Sequence, residues 1–352
     1  MSVPYHVQVR RFIKNKLEKS LQLFSRKVST KKIDQNEIKQ ILIIRINYRI
    51  GNMLFTTPLI KELENIFLDA KIDVLVGAPF TKDLFTGFKQ VENVFDFDRK
   101  LLKNPLKAFR YIQQLRSKKY DVVFNLNNGS TSDRLATLLA RSTYKLSFCN
   151  DDSYTPTNIC VKREDLEILH EALKPLELLK AFSIEPDYNK ILTLELSEAE
   201  IFEAKEILVE LVGKDKKVFG IFRNARYDKK LEDDFWKNLL KELRAKDQDI
   251  IFVDILSPDI PNKLEEQIFE YSQKNLRKLA AFMANLDTFI CGDTGPMHLA
   301  SASGVATIAL FKTTTPLLYG TLKKEDLSLV LGEKTTEEVA DEILTHLEPL
   351  KQ

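Results

Sequence analysis

Short runs of branched apolar residues alternate with longer amphipathic stretches along most of this chain, and this alternation restricts its fold more than any other feature. The apolar runs predict strands at Ile41–Ile46, Ile72–Val76, Val91–Phe97, Asp121–Leu126, Val218–Phe222, Ile250–Val253, Thr288–Cys291 and Thr307–Phe311. The amphipathic stretches predict helices at Asn52–Phe67, Pro105–Ser117, Asp133–Ala140, Asp234–Ala245 and Leu276–Leu286. Strand–helix–strand units with this spacing predict right-handed crossovers and parallel sheets covered on both faces. The expected fold class is therefore α/β.

The length of 352 residues exceeds one ordinary domain and fits two. A long helical stretch at Arg163–Phe182 is followed by Ser183–Asp187, where Pro186 indicates a hinge. We predict an N-terminal domain over 36–185 and a C-terminal domain over 186–352, two doubly wound sheets facing a central cleft. Residues 1–35 form an extension. Ligands of such sheets bind beyond the carboxyl ends of the strands, at helix N-termini.

Composition excludes several classes of protein. Hydrophobic residues make up 44% and charged residues 30%, which is typical of a globular chain and not of a disordered one. The sequence contains no run of 18 apolar residues, so it predicts no membrane-spanning helix. It also lacks the apolar core of a signal peptide, so we expect a cytoplasmic protein. Three cysteines without a Cys-x-x-Cys pair predict neither a disulfide framework nor a zinc site.

The first 32 residues are strongly basic. They hold nine lysines and arginines against Glu18, a net charge of +8, and since the whole chain carries +2 the remainder carries −6. Their apolar residues share one face of a predicted amphipathic helix: Ile13, Leu17, Leu21, Phe24 and Val28. Such a helix either lies on an anionic membrane surface or packs on its own domain. Nucleic acid is not an expected partner, because the rest of the chain is acidic and lacks aromatic–basic interleaving.

Two strand-to-helix turns are unusual. The first follows Ile41–Ile46, where Gly51 permits close backbone approach, Asn52 is a candidate helix N-cap, and Arg45 and Arg49 add positive charge.

The second turn follows Thr288–Cys291. Thr294 is a candidate N-cap, Gly295 opens access to the first amides, and His298 lies one turn into the helix. Free amides at a positive helix end suit a diphosphate. The alternative is a capped core helix with a satisfied internal histidine.

Three blocks in this order carry a specific resemblance: Gly51 with Thr56-Thr57-Pro58, then Phe67–Ile72, then Asp293–Ala300. From about Ile41 to about Tyr319 the chain resembles glycosyltransferase family 9, the bacterial heptosyltransferases of the lipopolysaccharide inner core. The resemblance implies a GT-B architecture and inverting, metal-independent transfer from a nucleotide sugar, ADP-heptose in the best-known members. It also implies a cell-envelope glycan acceptor, no further cofactor, and a place in the cytoplasm or at the inner face of the inner membrane.

The same resemblance assigns site residues. Lys229 is the cation expected at the leaving phosphate, and the alternative is a solvated lysine. The turn departs from the family pattern at Asn224 and Arg226. The residues expected to bind the donor are Ala225, Arg226, Asp293, Thr294, Gly295, Met297 and His298.

Acceptors in this family are anionic, so basic residues are the candidates for binding them: Arg45, Arg49, Arg134 and Lys145. Asp96-Phe97-Asp98 spells the Asp-x-Asp string of metal-dependent glycosyltransferases, but it ends a strand away from the predicted donor site. We therefore predict no metal ion.

The position after Gly51 is the main departure from the family, which usually places a catalytic aspartate where this chain has Asn52. A neutral amide cannot act as a general base, a role that contributes about 10²–10⁴-fold to rate. Either an acceptor carboxylate or phosphate takes the proton while Asn52 orients the hydroxyl, or transfer is slow, or the chain is an inactive binding homologue. A nicotinamide-dependent dehydrogenase is a more distant alternative, because the Gly-x-Gly-x-x-Gly fingerprint is missing.

Overall fold

The computed structural model describes residues 33–97, 105–127, 130–149, 159–162, 166, 168–257 and 263–351. The amphipathic helix predicted within residues 1–32 lies outside these ranges. Among the described residues, no helix combines the length and the apolar character needed to cross a bilayer.

The described strands form two six-stranded sheets, and every strand pair is parallel. The first sheet has the order β3-β2-β1-β4-β5-β6. Its strands are β1 (Gln40–Arg45), β2 (Lys71–Val76), β3 (Val91–Asp96), β4 (Lys119–Asn125), β5 (Arg141–Cys149) and β6 (Ile159–Lys162).

The second sheet has the order β12-β11-β10-β7-β8-β9, which is the same doubly wound arrangement read from the other edge. Its strands are β7 (Lys217–Phe222), β8 (Ile250–Ile255), β9 (Phe269–Tyr271), β10 (Thr288–Gly292), β11 (Ala306–Phe311) and β12 (Leu327–Val330). The predicted fold class, two doubly wound α/β sheets, is confirmed.

Helices connect the strands in both sheets. They are α1 (Ile50–Leu54), α2 (Thr57–Ile66), α3 (Pro105–Ser117), α4 (Thr131–Leu139), α5 (Glu198–Val212), α6 (Asp233–Lys246), α7 (Leu276–Met283), α8 (Gly295–Ser303), α9 (Pro316–Tyr319) and α10 (Thr336–Leu347). Single-turn or longer 3₁₀ segments occur at Gln35–Glu37, Pro79–Phe85, Lys174–Phe182, Tyr227–Lys229 and Glu348–Lys351.

The described residues fall into two compact units. The first takes in the described residues of Met1–Tyr48, Leu59–Glu167 and Leu173–Tyr188; the second takes in those of Arg49–Pro58, Ile168–Ala172 and Asn189–Gln352. Division at Tyr188 falls three residues beyond the boundary predicted at 185. The single predicted boundary did not anticipate that segments 49–58 and 168–172 belong with the second unit.

Each unit has its own apolar core. In the first, Leu42 and Ile44 of β1 pack with Val123 of β4 and Leu115 of α3. In the second, the Trp236 side chain on α6 is 1% exposed and lies in a cluster of residues from the sheet and from α10. Burial of one face of each helix against a parallel sheet explains why both strand and helix patterns were readable in the sequence.

Two expectations about helices and one about cysteines were wrong. The helix predicted at Asn52–Phe67 is two helices, since Pro58 has no amide hydrogen for a continuous helix and lies instead in the first turn of α2. Within Arg163–Phe182, the described residues are helical only at Lys174–Phe182, as a 3₁₀ helix. Cys160 is disulfide-bonded, contrary to the expectation drawn from cysteine spacing, whereas Cys291 is free and buried.

Candidate functional site

The second sheet reverses its winding between β7 and β10. Strands β8 and β9 lie on one side of β7, and β10, β11 and β12 lie on the other. The carboxyl ends of β7 and β10 therefore meet at the point where open α/β sheets bind ligands. The turn after β7 begins at Arg223, and Asp293 and Thr294 follow β10. This edge of the second unit is the candidate site.

Helix α8 begins at this edge with an open N-terminus. Thr294 occupies the N-cap position in an extended conformation, as predicted, but its side chain makes no capping hydrogen bond. Met297 N donates to Thr294 O at 3.2 Å, and Pro296 lies in the first turn, where it has no amide hydrogen to satisfy. The positive end of the helix is thus available to an anion.

Lys229 and Asp293 form an ion pair that joins the two turns. Lys229 Nζ lies 2.6 Å from Asp293 Oδ2, and the Thr314 hydroxyl donates to the same oxygen at 2.5 Å. The Asp293 side chain is 9% exposed and that of Lys229 is 30% exposed. The ammonium group is therefore held at the site by a mostly buried carboxylate, and the alternative of a solvated lysine does not describe Lys229.

His298, one turn into α8, is buried and neutral. Burial is the main cause that lowers its pKa to about 3, and His170 lowers it further while Asp293 opposes the shift. Its Nδ1 atom makes no hydrogen bond within the described part of the chain. An unpartnered buried nitrogen costs about 1–3 kcal/mol. With its proton on Nδ1, the neutral ring can donate to a ligand oxygen and remove that cost.

Helix α1 packs directly against α8. A Cβ atom on Gly51 would lie 2.4 Å from His298 Cδ2, and one on Gly295 would lie 3.3 Å from Ile50 Cβ. The Phe55 ring meets the His298 ring edge to face, with centroids 4.7 Å apart. The predicted need for glycine at position 51 is explained by this contact with the histidine.

His170 also packs against the Phe55 ring. Their ring centroids are 5.6 Å apart. His170 Nδ1 accepts from Ala172 N at 3.1 Å, so its proton is on Nε2, which donates to Gly320 O at 3.0 Å. His170 is therefore a neutral structural residue that supports Phe55.

Asn52 does not have the local role that the sequence predicted. Arg49 is the N-cap of α1, so Asn52 is the third residue of the helix and not its cap. Its side chain is half-buried, and no hydrogen bond to it is made by the described residues. Asn52 lies next to Gly51, which touches His298, so it belongs to the same unit as the ion pair and α8.

Comparison with known proteins identifies the family. Residues 108–346, more than half of the chain, match the family described as glycosyltransferase family 9 (heptosyltransferase). The chain belongs to glycosyltransferase family 9. Comparison with curated proteins finds no match.

Solved structures support the family 9 fold. The E. coli heptosyltransferase WaaC with ADP is 20% identical, with 87% of this chain and 99% of that chain covered and a TM-score of 0.70. E. coli ADP-heptose lps heptosyltransferase II is 18% identical, covering 89% and 100%, with a TM-score of 0.71. A family 9 structure from Veillonella parvula DSM 2008 is 16% identical, covering 91% and 98%, with a TM-score of 0.70. The predicted family and GT-B-like fold are confirmed.

The turn after β7 in this family 9 chain separates a buried anchor from an exposed tip. Arg223 is 2% exposed; it pairs with Asp254 at 2.8 Å and with Asp233 at 2.9 Å. Ala225 is half-buried and Arg226 is exposed. Tyr227 is 84% exposed with φ +60°, a conformation that L-residues rarely adopt. The buried Arg223 and its two carboxylate partners hold the base of the turn, and Lys229 follows its tip.

The four predicted acceptor residues are divided between the units. Arg45, Arg134 and Lys145 lie in the first unit, and Arg49 lies in the second. Lys145 is 1% exposed, and its ammonium donates to Leu138 O at 3.1 Å, so it contributes to the interior of the first unit.

Met297, one of the predicted donor-binding residues, has a side chain that is 0% exposed. Burial therefore keeps this side chain from contacting a ligand directly.

Arg45 ends β1 beside a buried carboxyl group. Asp133 Oδ1 accepts from Ile46 N at 2.9 Å. Burial raises the pKa of Asp133 to about 6, and the positive charge of Arg45 opposes the shift. Arg45 is therefore part of the local charge balance of the first sheet as well as a candidate ligand of an acceptor.

Within the ranges that the structure describes, no group of three or more His, Cys, Asp or Glu residues is placed to hold a metal ion. Of the Asp-x-Asp string, Asp96 is paired with Lys82 at 3.2 Å, and Asp98 lies outside the described residues. Metal independence stays a prediction.

Three residues near the site were not found from the sequence. They are Phe55, His170 and Thr314. Thr314 had a usable signal, because it follows β11, whose carboxyl end adjoins that of β10. His170 and Phe55 had none, since their roles depend on contacts between distant segments.

Proposed function

We propose that this protein transfers a sugar from a nucleotide diphosphate sugar to an anionic glycolipid acceptor, with inversion and without a metal ion. Heptose from ADP-heptose is the proposed donor group, and a lipopolysaccharide core or related cell-envelope glycan is the proposed acceptor. Two solved E. coli structures support this donor class: WaaC with ADP and WaaC with ADP-2-deoxy-2-fluoro heptose. The donor is a co-substrate, and no further cofactor is proposed.

The proposal is carried by the open end of α8 together with the Lys229–Asp293 pair. A diphosphate brings negative charge that suits the free helix end and the Lys229 ammonium 2.6 Å from Asp293. Asp293 would repel a phosphate directly, so its role in the proposal is to hold Lys229. His298 supplies a neutral donor from the interior, while Thr294, Gly295, Ala225 and Arg226 border the donor.

Transfer requires the acceptor hydroxyl to attack the anomeric carbon as the bond from that carbon to the diphosphate oxygen breaks. The bonding electrons leave with the diphosphate, whose added charge Lys229 and the helix end stabilise. The hydroxyl proton must go to a base. Asn52 cannot accept it, so we propose that Asn52 orients the hydroxyl and that an acceptor carboxylate or phosphate takes the proton.

Basic residues are proposed to bind the acceptor's anionic groups: Arg45, Arg49 and Arg134. Lys145 is not included because its ammonium is engaged inside the first unit. The first unit is the proposed acceptor unit, and the second, which includes residues 49–58, is the proposed donor unit. We further propose a cytoplasmic protein that is peripheral on the inner membrane, with residues 1–32 contributing a contact with anionic lipid.

One observation favours a second candidate function. Because Asn52 replaces the aspartate typical of the family, a nucleotide-sugar-binding homologue without turnover would have the same donor site. Donor binding is expected under both functions, whereas product formation is expected under only one.

Titration calorimetry with a panel of nucleotide sugars, in the presence of EDTA, tests the donor site. We expect ADP-heptose to bind most tightly, and His298→Ala, Lys229→Ala and Asp293→Ala each to weaken binding by about 1–3 kcal/mol, the range for losing a buried or charge-assisted hydrogen bond. Binding that needs added magnesium would contradict metal independence at the binding step.

Matched controls lie elsewhere in the second unit. His346→Ala removes a histidine whose ring contacts Glu325 O, and Lys334→Ala removes a lysine paired with Glu342. Both are expected to leave donor affinity unchanged. Parental affinity in the three site variants would show that the donor binds elsewhere.

A further inference from the structure

Helix α3 in the first unit exposes two large apolar side chains. Leu106 is 74% exposed and Phe109 is 59% exposed. The same helix already has a core face, because Leu115 and Tyr111 pack in the cluster that includes β1 and β4. Leu106 and Phe109 therefore form a second apolar surface that the described residues of the unit leave exposed.

Basic side chains flank this apolar pair. At 3.6 residues per turn, Arg110 lies about one turn after Leu106, and Arg116 lies about two turns after Phe109 on the same side of the helix. Lys107 borders the pair on the other side, and both Lys107 and Arg110 are exposed. No aspartate or glutamate occurs in the segment from Arg99 to Tyr120, which includes the whole helix. The same segment holds eight lysines and arginines.

Helix α5 shows that an exposed phenylalanine alone does not have this meaning. Phe202 is 63% exposed, but its helix is acidic, with Glu198 and Glu200 in the first turn and Glu203 next to Phe202. Of these two helices, only α3 combines exposed apolar side chains with basic neighbours and no acidic ones.

We propose that the α3 face, defined as Leu106, Lys107, Phe109, Arg110 and Arg116, docks on an anionic lipid bilayer. A helix of this kind lies in the plane of the membrane interface, where its apolar side chains enter the acyl boundary and its cations attract anionic headgroups. Charge complementarity favours an anionic surface, and the aliphatic Leu106 favours lipid over a nucleic acid, which would be bound through phosphates and base stacking.

The docking surface is distinct from residues 1–32, and it does not depend on which sugar is transferred. Only the role of this contact rests on the proposed function. That role is to hold the proposed acceptor unit at the membrane surface that carries a lipid-linked acceptor. Donor affinity, measured in the same preparations, is expected to be unaffected by changes on α3.

Flotation of the full chain with vesicles tests the proposal. We expect binding to phosphatidylcholine vesicles that contain phosphatidylglycerol, weak binding to phosphatidylcholine alone, and weakening by salt. Leu106→Ala with Phe109→Ala is expected to lower affinity for the anionic vesicles by about tenfold. The control Phe202→Ala is expected to leave that affinity unchanged.

A second measurement separates α3 from residues 1–32. In Phe109→Trp, brominated phosphatidylcholine included in the anionic vesicles is expected to quench the new tryptophan, whereas Phe202→Trp is expected to show no such quenching. Vesicle binding without quenching at position 109 would overturn the proposal. So would an α3 variant that keeps vesicle binding but loses binding to a DNA oligonucleotide or to a polyglutamate peptide.

Discussion

At the residue scale, the site contains two kinds of polar group with different electrostatics. Lys229 and Asp293 form an ion pair at 2.6 Å in which the lysine is 30% exposed and the aspartate 9%. His298 carries no charge, because burial removes the hydration that a cation needs and the nearby Asp293 carboxylate, already paired with Lys229, only partly offsets that loss. A ligand that enters this edge therefore meets one held cation and one neutral donor, which suits an anion that must leave again after reaction.

The low pKa of His298 predicts acid sensitivity of the second unit. The folded pKa is about 3, against 6.5 for the unperturbed group. Between these values the unfolded chain binds a proton that the folded chain does not. The free energy of unfolding therefore keeps its full value only above about pH 6.5. It falls as the pH drops, by about 2 kcal/mol between pH 7 and pH 5.

Urea unfolding followed by fluorescence measures this effect, because Trp236 is the only tryptophan and is buried in the second unit. His298→Asn should show a smaller loss of unfolding free energy between the two pH values than the parent does. His346→Asn should behave as the parent. An equal loss in His298→Asn and the parent would mean that the histidine ionises normally in the folded state.

At the element scale, the contact between α1 and α8 connects the Asn52 helix to the helix that begins the donor site. The sequence indicated both helices through turn chemistry, with Gly51 and Thr294 near their starts. It could not indicate their contact, since Gly51 and His298 are 247 positions apart in the printed sequence. Short strands such as β9 and β12 were missed for a different reason: three or four residues give too little apolar pattern to distinguish a strand from a loop.

Gly51→Ala tests the contact. Alanine normally favours a helix over glycine by about 1 kcal/mol, but the new Cβ would lie 2.4 Å from His298 Cδ2. We expect the collision to dominate, with a loss of about 1–3 kcal/mol in the free energy of unfolding and weaker donor binding. In Gly51→Ala with His298→Ala the collision is gone, so the double variant should lose less than the sum of the single losses. Additive losses, or a stabilised Gly51→Ala, would contradict the packing described.

At the scale of the whole molecule, the sequence predicted the fold well because each sheet is built from consecutive strand–helix units. Runs such as Ile41–Ile46 and Thr288–Cys291 are buried on both faces, so their composition alone identifies them. Assignment of residues 49–58 to the second unit was not predictable, because it depends on packing between distant segments. The same limit applies to Thr314, which reaches Asp293 only once β10 and β11 are paired.

The central claim is that a family 9 chain with Asn52 in place of the usual aspartate is a working transferase. Its most direct test is mass spectrometry of a native glycolipid extract incubated with the tightest-binding nucleotide sugar and the parent, Asn52→Ala or Asn52→Asp. We expect product from the parent, a rate lower by about 2–10-fold in Asn52→Ala from loss of one orienting hydrogen bond, and an equal or higher rate in Asn52→Asp. Absence of product from the parent with every donor it binds, with product only from Asn52→Asp, would contradict the claim and identify a binding homologue.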